Sequence, residues 1–303
     1  MQVLRVRHIT RYRYARPVRF GEHRMMLRPR ERPGQTLVLE RLVITPTPID
    51  LSHIQDPLGN WIGLARFEGA ASELCFESEI EVVHRPSPPP LAVKGILPRL
   101  IAPQLHAEAL AGDPEGAVVG WARGFLPHPA AKAGVETLVA INRTLHADFT
   151  YRKRLEHGVQ PPWRTLALRS GACRDLAMLL VAAARALGLQ ARFVSGYVHC
   201  PDAPGVPRAG AGHTHAWASV LTAAYGWLDF DPTSGAVGSK GMVPVAIADD
   251  PAQAVPLQGT YFGAAADFLG MDVEVHVQSK RKSTIGAGRS EPEPFQRVGW
   301  SAA

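Results

Sequence analysis

The sequence has few of the features that mark a disulfide-rich or membrane protein. Its 303 residues include three cysteines, Cys75, Cys173 and Cys200, which are too few and too scattered for a disulfide framework. No stretch approaches the roughly 18 consecutive apolar residues of a membrane-spanning helix. The first residues, MQVLRVRHITRYRY, alternate Arg with apolar residues and lack the apolar centre of a signal peptide. We therefore expect a protein of the reducing cytoplasm that binds no membrane.

Several motifs of nucleotide, serine-hydrolase and metal sites are also absent. The chain contains neither GxxxxGK[ST] nor GxSxG, and no acidic loop of the calcium-binding type. His199, Cys200, His213 and His215 are residue types that bind zinc, but no CxxC or HExxH spacing supports a metal site. We expect neither a metal ion nor another cofactor.

The positive charge is concentrated at the start of the chain. The formal net charge is +6, and residues 1–41 hold eleven Arg and three Glu, a net +8, so the remaining residues carry −2. Tyr12, Tyr14 and Phe20 lie between these arginines, as in surfaces that stack on nucleic-acid bases. On an alternating strand, however, one face of arginines is simply solvated. We therefore expect no nucleic-acid partner.

The hydrophobic pattern predicts an α+β protein with two folded parts. Residues 1–85 alternate in short runs (3–14, 36–45, 61–67 and 74–83) separated by prolines, which is typical of a small β-sandwich or barrel. A Pro-rich linker, RPSPPP, and short helices are predicted over residues 86–128. A core follows at 129–278, with helices at 130–147 and 172–187 and strands at 191–199, 213–221 and 227–231, and then a flexible tail at 279–303.

Cys173 is predicted to stand in the first turn of the helix at 172–187. At such a position the free N–H groups and the positive end of the helix dipole stabilise a thiolate. The same N–H groups can hold an oxyanion during acyl transfer. Because a nucleophilic cysteine also needs a base and a group that orients the base, His215 and Asp231 on later strands are candidates for these roles.

The strands that carry His215 and Asp231 are predicted to form a hairpin around the turn AAYG at 223–226. The two residues are equally far from Ala223, so they are expected to lie opposite or nearly opposite each other, within reach of an imidazole–carboxylate hydrogen bond. A slip of one residue would turn one side chain to the other face. The predicted contact therefore depends on the register of the hairpin.

Three blocks of the sequence resemble the core of the transglutaminase-like superfamily, which has a papain-like fold: SGACRDLAMLLVAAARALGLQARFVSGYV, GHTHAWASV and GWLDFDPTSG. The stretches HITRYRYARPVRFGEHRMMLRPR and YFGAAADFLGMDVEVHVQ resemble a bacterial branch with an N-terminal β domain. Members of that branch are described as candidate cysteine proteases. The resemblance covers about residues 1–278.

The resemblance implies a catalytic triad of Cys173, His215 and Asp231 that forms an acyl-enzyme at a peptide or carboxamide carbonyl. Water as the acceptor would make the protein a peptidase or amidase, which we favour, whereas an amine would make it a transglutaminase. A non-catalytic peptide-binding module is the remaining alternative. The resemblance also suggests a functional link to ATP-grasp-type proteins, and it leaves a homo-oligomer open.

Other residues near the triad have less certain roles. Trp163 and Thr165 precede Cys173 and are, with Asn142 and His146, alternatives for the second oxyanion donor. We interpret Arg174 and Asp175 as structural. Four residues are candidates for substrate binding: Trp163, Thr165, Tyr197, which could instead pack in the core, and His213, which shares a strand face with His215.

Overall fold

The computed structural model describes residues 1–85, 113, 116–154, 156–199 and 213–280. The predicted Pro-rich linker after Arg85, the residue Cys200 and the tail beyond Lys280 lie outside the described residues. Within these ranges, no helix is long and apolar enough to cross a membrane.

The N-terminal part is an antiparallel sheet built around one long strand. β1 (Gln2–Met25) alternates buried and exposed residues over most of its length and pairs with β5 (Ala71–His84). β2 (Gln35–Thr45), β3 (Asp50–Gln55) and β4 (Trp61–Arg66) complete the order β2-β5-β1-β4-β3. This matches the period-two pattern of the sequence, because alternate side chains of a strand point to opposite faces.

The exposed arginines of β1 pair with acidic residues on neighbouring strands. Arg7 contacts Glu77 at 2.7 Å, and Arg5 and Arg11 contact Glu79 and Glu73. The strand register places Arg7 opposite Glu79 and Arg11 opposite Cys75, so these ion pairs run diagonally between β1 and β5. Much of the positive charge at the start of the chain is therefore balanced locally by β5.

Two strands near the end of the described chain join this sheet. β13 (Leu257–Phe262) and β14 (Phe268–Lys280) both pair antiparallel with β1. The sequence interpretation had assigned residues up to 278 to the core and those from 279 to a tail. The difference arises because alternation predicts a strand but does not identify the sheet edge with which it pairs.

Among the described residues, the second part contains a five-stranded antiparallel sheet and four α-helices. The strand order is β11-β10-β9-β8-β12, with β8 (Ala191–Val198), β9 (His215–Thr222), β10 (Gly226–Asp231), β11 (Ala236–Val237) and β12 (Met242–Ala248). The helices are α1 (Ala117–Arg123), α2 (Val135–Asp148), α3 (Pro162–Leu168) and α4 (Cys173–Ala186). A short parallel pair joins β6 (Thr150–Tyr151) to β7 (Ser170–Gly171).

Helix α4 is the centre of this part. From Asp175 to Arg185 every residue is buried, and α4 packs against β8, β9 and the helices α1 to α3. A helix enclosed on all sides needs small or apolar side chains, which its alanines and leucines supply. The architecture confirms the predicted α+β class.

The two parts pack tightly against each other. Arg32 Nη1 donates to the Asp229 carboxylate at 3.1 Å, and the Asn60 side chain forms two hydrogen bonds with the backbone of Ile247. Apolar residues of β1, such as Leu4, belong to the same buried cluster as α4. The N-terminal sheet therefore supports the part of the chain that carries Cys173.

Candidate active site

Cys173 is the first residue of α4 and is partly exposed. Ala172 is the N-cap, and its backbone N–H donates to the Asp175 carboxylate at 2.8 Å. The backbone of Gly171 passes so close to Asp175 that only glycine fits, because a Cβ there would lie 2.7 Å from the Cβ of Asp175. The local sequence thus fixes the start of the helix and presents the thiol at its N-terminal end.

Asp175 holds the loop before the helix against its first turn. Its carboxylate is fully buried and also accepts hydrogen bonds from Arg154 Nη1 at 2.7 Å and from the Gln160 N–H at 2.8 Å. Arg174 donates to the carbonyl oxygens of Gly158 and Glu156 at 2.7 Å. Both residues therefore have the structural role that the sequence suggested.

His215 and Asp231 form a buried hydrogen-bonded pair. The distance between His215 Nε2 and Asp231 Oδ2 is 3.0 Å, and the residues are 3% and 1% exposed. The hairpin pairs Phe230 with Ala218, so Asp231 reaches His215 diagonally rather than from directly across. The structure thus brings together the two side chains that the turn placed within reach of each other.

Three groups hold the Asp231 carboxylate in its ionised form. Besides His215, it accepts hydrogen bonds from the Thr233 N–H at 2.9 Å and the Ser234 hydroxyl at 2.6 Å. Burial alone would raise the pKa of Asp231, but the charge of His215 and these hydrogen bonds lower it. Asp231 is therefore a fixed negative charge that orients the imidazole.

The pKa of His215 moves in the opposite direction. Burial would lower it, but the Asp231 carboxylate and a further interaction with Cys173 outweigh burial and raise the pKa well above its ordinary value. Since Nε2 binds Asp231, Nδ1 is the ring nitrogen left for Cys173. Nδ1 is buried and forms no well-aligned hydrogen bond with any described residue, so the thiol–imidazole contact is looser than the imidazole–carboxylate contact. Such loose contacts are common in enzymes without substrate.

Helix α2 supports the loop that follows Asp231. Asn142 Nδ2 donates to the Ala236 carbonyl at 3.2 Å, and His146 Nδ1 donates to the Thr233 carbonyl at 2.9 Å. The sequence left both residues open as oxyanion donors. Because these groups already bind the loop after Asp231, they act as its anchors instead.

Two of the candidate substrate-binding residues are buried in the protein interior. The Thr165 hydroxyl contacts the Pro161 carbonyl and the Gln160 side chain within the α3 turn. The Tyr197 hydroxyl lies 2.9 Å from His8 Nδ1, and burial raises its pKa. The expectation that Thr165 and Tyr197 contact substrate is therefore corrected: one stabilises a turn, and the other packs between the N-terminal sheet and the core.

The other two candidates remain accessible. Trp163 on α3 is half-buried and packs against the core cluster that includes α4. His213 is exposed just before β9, and its Nε2 lies 3.1 Å from Lys153 Nζ.

Tyr151 is a neighbour of the thiol that sequence reasoning missed. It pairs with Gly171, two residues before Cys173, and the Arg152 N–H donates to the Gly171 carbonyl at 2.9 Å. Partial burial and the nearby Cys173 raise the pKa of Tyr151. The segment FTY has the composition of a strand. A parallel pairing of only two residues is too short to leave a periodic pattern, so the sequence could not predict that Tyr151 lies beside the nucleophile.

In the part of the chain that the structure describes, no group of three or more His, Cys, Asp or Glu side chains is arranged to hold a metal ion. Of the four residues first considered as zinc ligands, Cys200 lies outside the described ranges. His215 is already bound to Asp231.

Comparison with known proteins gives relatives over most of the chain. An uncharacterized protein of Mycobacterium tuberculosis is 32% identical over 294 residues, covering 90% of this chain and 91% of its own. An uncharacterized protein of Mycobacterium leprae is 33% identical over 105 residues, or 35% of this chain and 37% of its own. The first of these alignments spans both folded parts.

A solved structure shares the fold. It is that of a protein from Cytophaga hutchinsonii described as a candidate cysteine protease, with a TM-score of 0.66 and 19% identity, over 96% of this chain and 94% of that one. Residues 4–83 match the bacterial transglutaminase-like N-terminal region, and residues 123–232 match the transglutaminase-like superfamily. The chain therefore belongs to the transglutaminase-like superfamily and has a papain-like core preceded by the bacterial N-terminal domain of that family.

Proposed function

We propose that this protein is a cysteine peptidase or amidase that cleaves a peptide or carboxamide bond through Cys173, His215 and Asp231. The observation that carries the proposal is the position of His215. Its ring lies between a partly exposed thiol at a helix N-terminus and a buried carboxylate at 3.0 Å. This arrangement of nucleophile, base and orienting group is what acyl transfer by a thiol requires.

In the proposed reaction the Cys173 thiolate attacks the substrate carbonyl carbon, and the N–H groups of the first turn of α4 receive the oxyanion. The raised pKa of His215 keeps a proton on the imidazole, which passes to the departing amine. The acyl-enzyme then reacts with water, from which His215 takes a proton. Asp231 stays ionised throughout and stabilises the imidazolium.

Water is preferred to an amine as acceptor because the solved structural neighbour is described as a candidate cysteine protease. The triad is common to both reactions, so the acceptor must be determined by experiment. A transglutaminase of the same mechanism is therefore the second candidate function.

The deciding experiment incubates the protein with a panel of peptide amides and glutamine amides, with and without a primary amine, and analyses the products by mass spectrometry. Hydrolysis gives the free acid in both conditions, whereas an amine adduct would select the transglutaminase. Cys173→Ala should give neither product.

Labelling with iodoacetamide tests the nucleophile independently of substrate. Cys173 should react faster than Cys75 and Cys200 at neutral pH. Equal and slow labelling of all three cysteines, together with no product from the panel, would contradict the proposal and favour a peptide-binding module.

A further inference from the structure

An exposed positive side chain contacts His213, two residues before His215. Lys153 is exposed, and its Nζ lies 3.1 Å from Nε2 of His213, which is also exposed. A lysine ammonium can only donate, so Nε2 of His213 must be the acceptor in this contact. The imidazole is therefore neutral, and the pair carries one net positive charge.

The surroundings of His213 favour this neutral form. A hydrogen bond with the backbone of Val273 on β14 raises the pKa of His213, but two larger effects outweigh it. Partial burial and the adjacent ammonium together lower the pKa of His213. His213 thus holds the ammonium in place without adding a second charge, and the N-terminal sheet contributes to the same spot through β14.

The chain places this pair beside the thiol–imidazole pair. Lys153 comes two residues after Tyr151, which pairs with Gly171, and Cys173 comes two residues after Gly171. His213 comes two residues before His215. Two residues of extended chain span at most about 7 Å, so Lys153 and His213 each lie close to a residue that borders the thiol or carries the imidazole.

Within the described ranges, no carboxylate neutralises this ammonium. Among the residues that the structure describes, Lys153 forms no ion pair with a carboxylate, while the nearby Asp175 and Glu156 both contact Arg154 instead. The Arg174 guanidinium binds backbone carbonyls, so its charge is not cancelled either. Two N–H donors of Lys153 remain available after the contact with His213.

We propose that Lys153 and His213 form a subsite that binds a carboxylate of the substrate, so that the protein prefers peptides or amides with an acidic group close to the bond it cleaves. This inference rests on the proposed function, because it names the substrate class of the same site. Charge-assisted hydrogen bonds from the ammonium would supply the recognition, and the neutral His213 would fix the direction of the ammonium.

The test uses two aromatic disulfides of similar size that differ in charge. One is the dianion 5,5′-dithiobis(2-nitrobenzoate), and the other is the neutral 4,4′-dithiodipyridine. In each reaction the Cys173 thiolate displaces one aromatic thiolate and forms a mixed disulfide, so the released chromophore reports the rate. The protein carries Cys75→Ser and Cys200→Ser, so that Cys173 is the only thiol.

We expect Lys153→Met to lower the ratio of the anionic rate to the neutral rate about three- to tenfold at low salt, and added salt to shrink the difference. Lys153→Arg should keep the ratio, because it keeps the charge. Lys240→Met removes an exposed lysine between β11 and β12 and should also leave it unchanged.

An unchanged ratio in Lys153→Met, or an equal fall in Lys240→Met, would overturn the subsite while leaving the proposed function intact. If Cys173 reacts with neither reagent faster than an unfolded thiol, the nucleophile itself is refuted and the subsite with it. The two failures are therefore distinguishable.

Discussion

Charged residues have different surroundings in the N-terminal sheet and in the core around α4. In the sheet, Arg7 and Glu77 form an ion pair in which the side chains are 52% and 40% exposed. In the core, Asp175 is fully buried and Arg154 nearly so, and their side chains meet at 2.7 Å. When the exposed pair is broken, water solvates the two separated charges. When the buried pair is broken, water cannot reach them.

The physical reason is the cost of removing charge from water. An exposed ion pair adds little to the free energy of unfolding, because water and salt screen the attraction between its charges. In a buried pair each charge depends on its partner for stabilisation. Loss of one partner leaves an uncompensated charge in a medium that cannot solvate it. The comparison therefore predicts that substitutions in the core act strongly on stability or reactivity and those on the sheet surface act weakly.

The largest effect is expected for Asp175→Ala. This substitution leaves Arg154 and the N–H groups of Ala172 and Gln160 without their acceptor. We expect a loss of about 3–5 kcal/mol in the free energy of unfolding, measured by urea denaturation. Glu156→Ala is the matched control, because Glu156 contacts the same arginine at 3.6 Å from an exposed position and should change stability by about 0.5 kcal/mol or less. Similar losses in both variants would break the comparison.

His8 gives the next largest effect, as a dependence of stability on pH. Its ring is buried between Tyr197 and Thr10, and burial lowers its pKa to about 4. The unfolded chain takes up this proton near pH 6.5 and the folded protein only near pH 4, so stability falls as the pH drops through this window. The total loss is about 3 kcal/mol. Urea denaturation at pH 7 and pH 4.5 should show a smaller loss of unfolding free energy in His8→Asn than in the wild type. The same loss in both proteins would contradict the burial of His8 as its cause.

Asp231→Asn tests the buried pair of the candidate site. With the carboxylate charge removed, burial dominates and the pKa of His215 falls, so the imidazole is neutral at pH 7. We expect alkylation of Cys173 by iodoacetamide at pH 7 to slow about tenfold or more, which corresponds to about 1.4 kcal/mol. Ser234→Ala removes one hydrogen bond from Asp231 but keeps its charge, and it should slow alkylation less than about threefold. Equal rates in wild type and Asp231→Asn would show that the pair does not activate the thiol.

The smallest effect is expected in the sheet. A double-mutant cycle with Arg7→Ala and Glu77→Ala should give a coupling free energy of about 0.2–1 kcal/mol at low salt, and less at high salt. Thermal or urea unfolding of the four proteins measures it. A coupling above about 2 kcal/mol would show that the exposed ion pairs stabilise the sheet far more than their exposure suggests.

Parts of the site followed from local patterns in the chain. The apolar run after Cys173 predicted a helix at 172–187 with the thiol in its first turn, and the structure begins α4 at Cys173. The turn at AAYG and the alternation around it placed His215 and Asp231 within reach of each other. Both inferences needed only neighbours in sequence, because a helix start and a hairpin register are set by local hydrogen bonding.

Other parts depended on which surfaces pack together. Tyr197 stands on a strand beside the site, and its sequence position is equally compatible with lining a cleft or packing in a core. It is buried because β1 brings His8 against it, from 189 residues away in sequence. β14 belongs to the N-terminal sheet because the two ends of the described chain pair with each other. The same pairing brings β14 into contact with His213.

By itself, the sequence determined the α+β class through its periodicity, and the resemblance of its motifs indicated the family and the roles of Cys173, His215 and Asp231. Only the tertiary structure decided which charges are buried, which candidate residues remain accessible and which groups surround the thiol. The reason is that burial depends on the partner surface. Lys153, His213 and Val273 come from three distant segments, and no local pattern could have predicted that they meet.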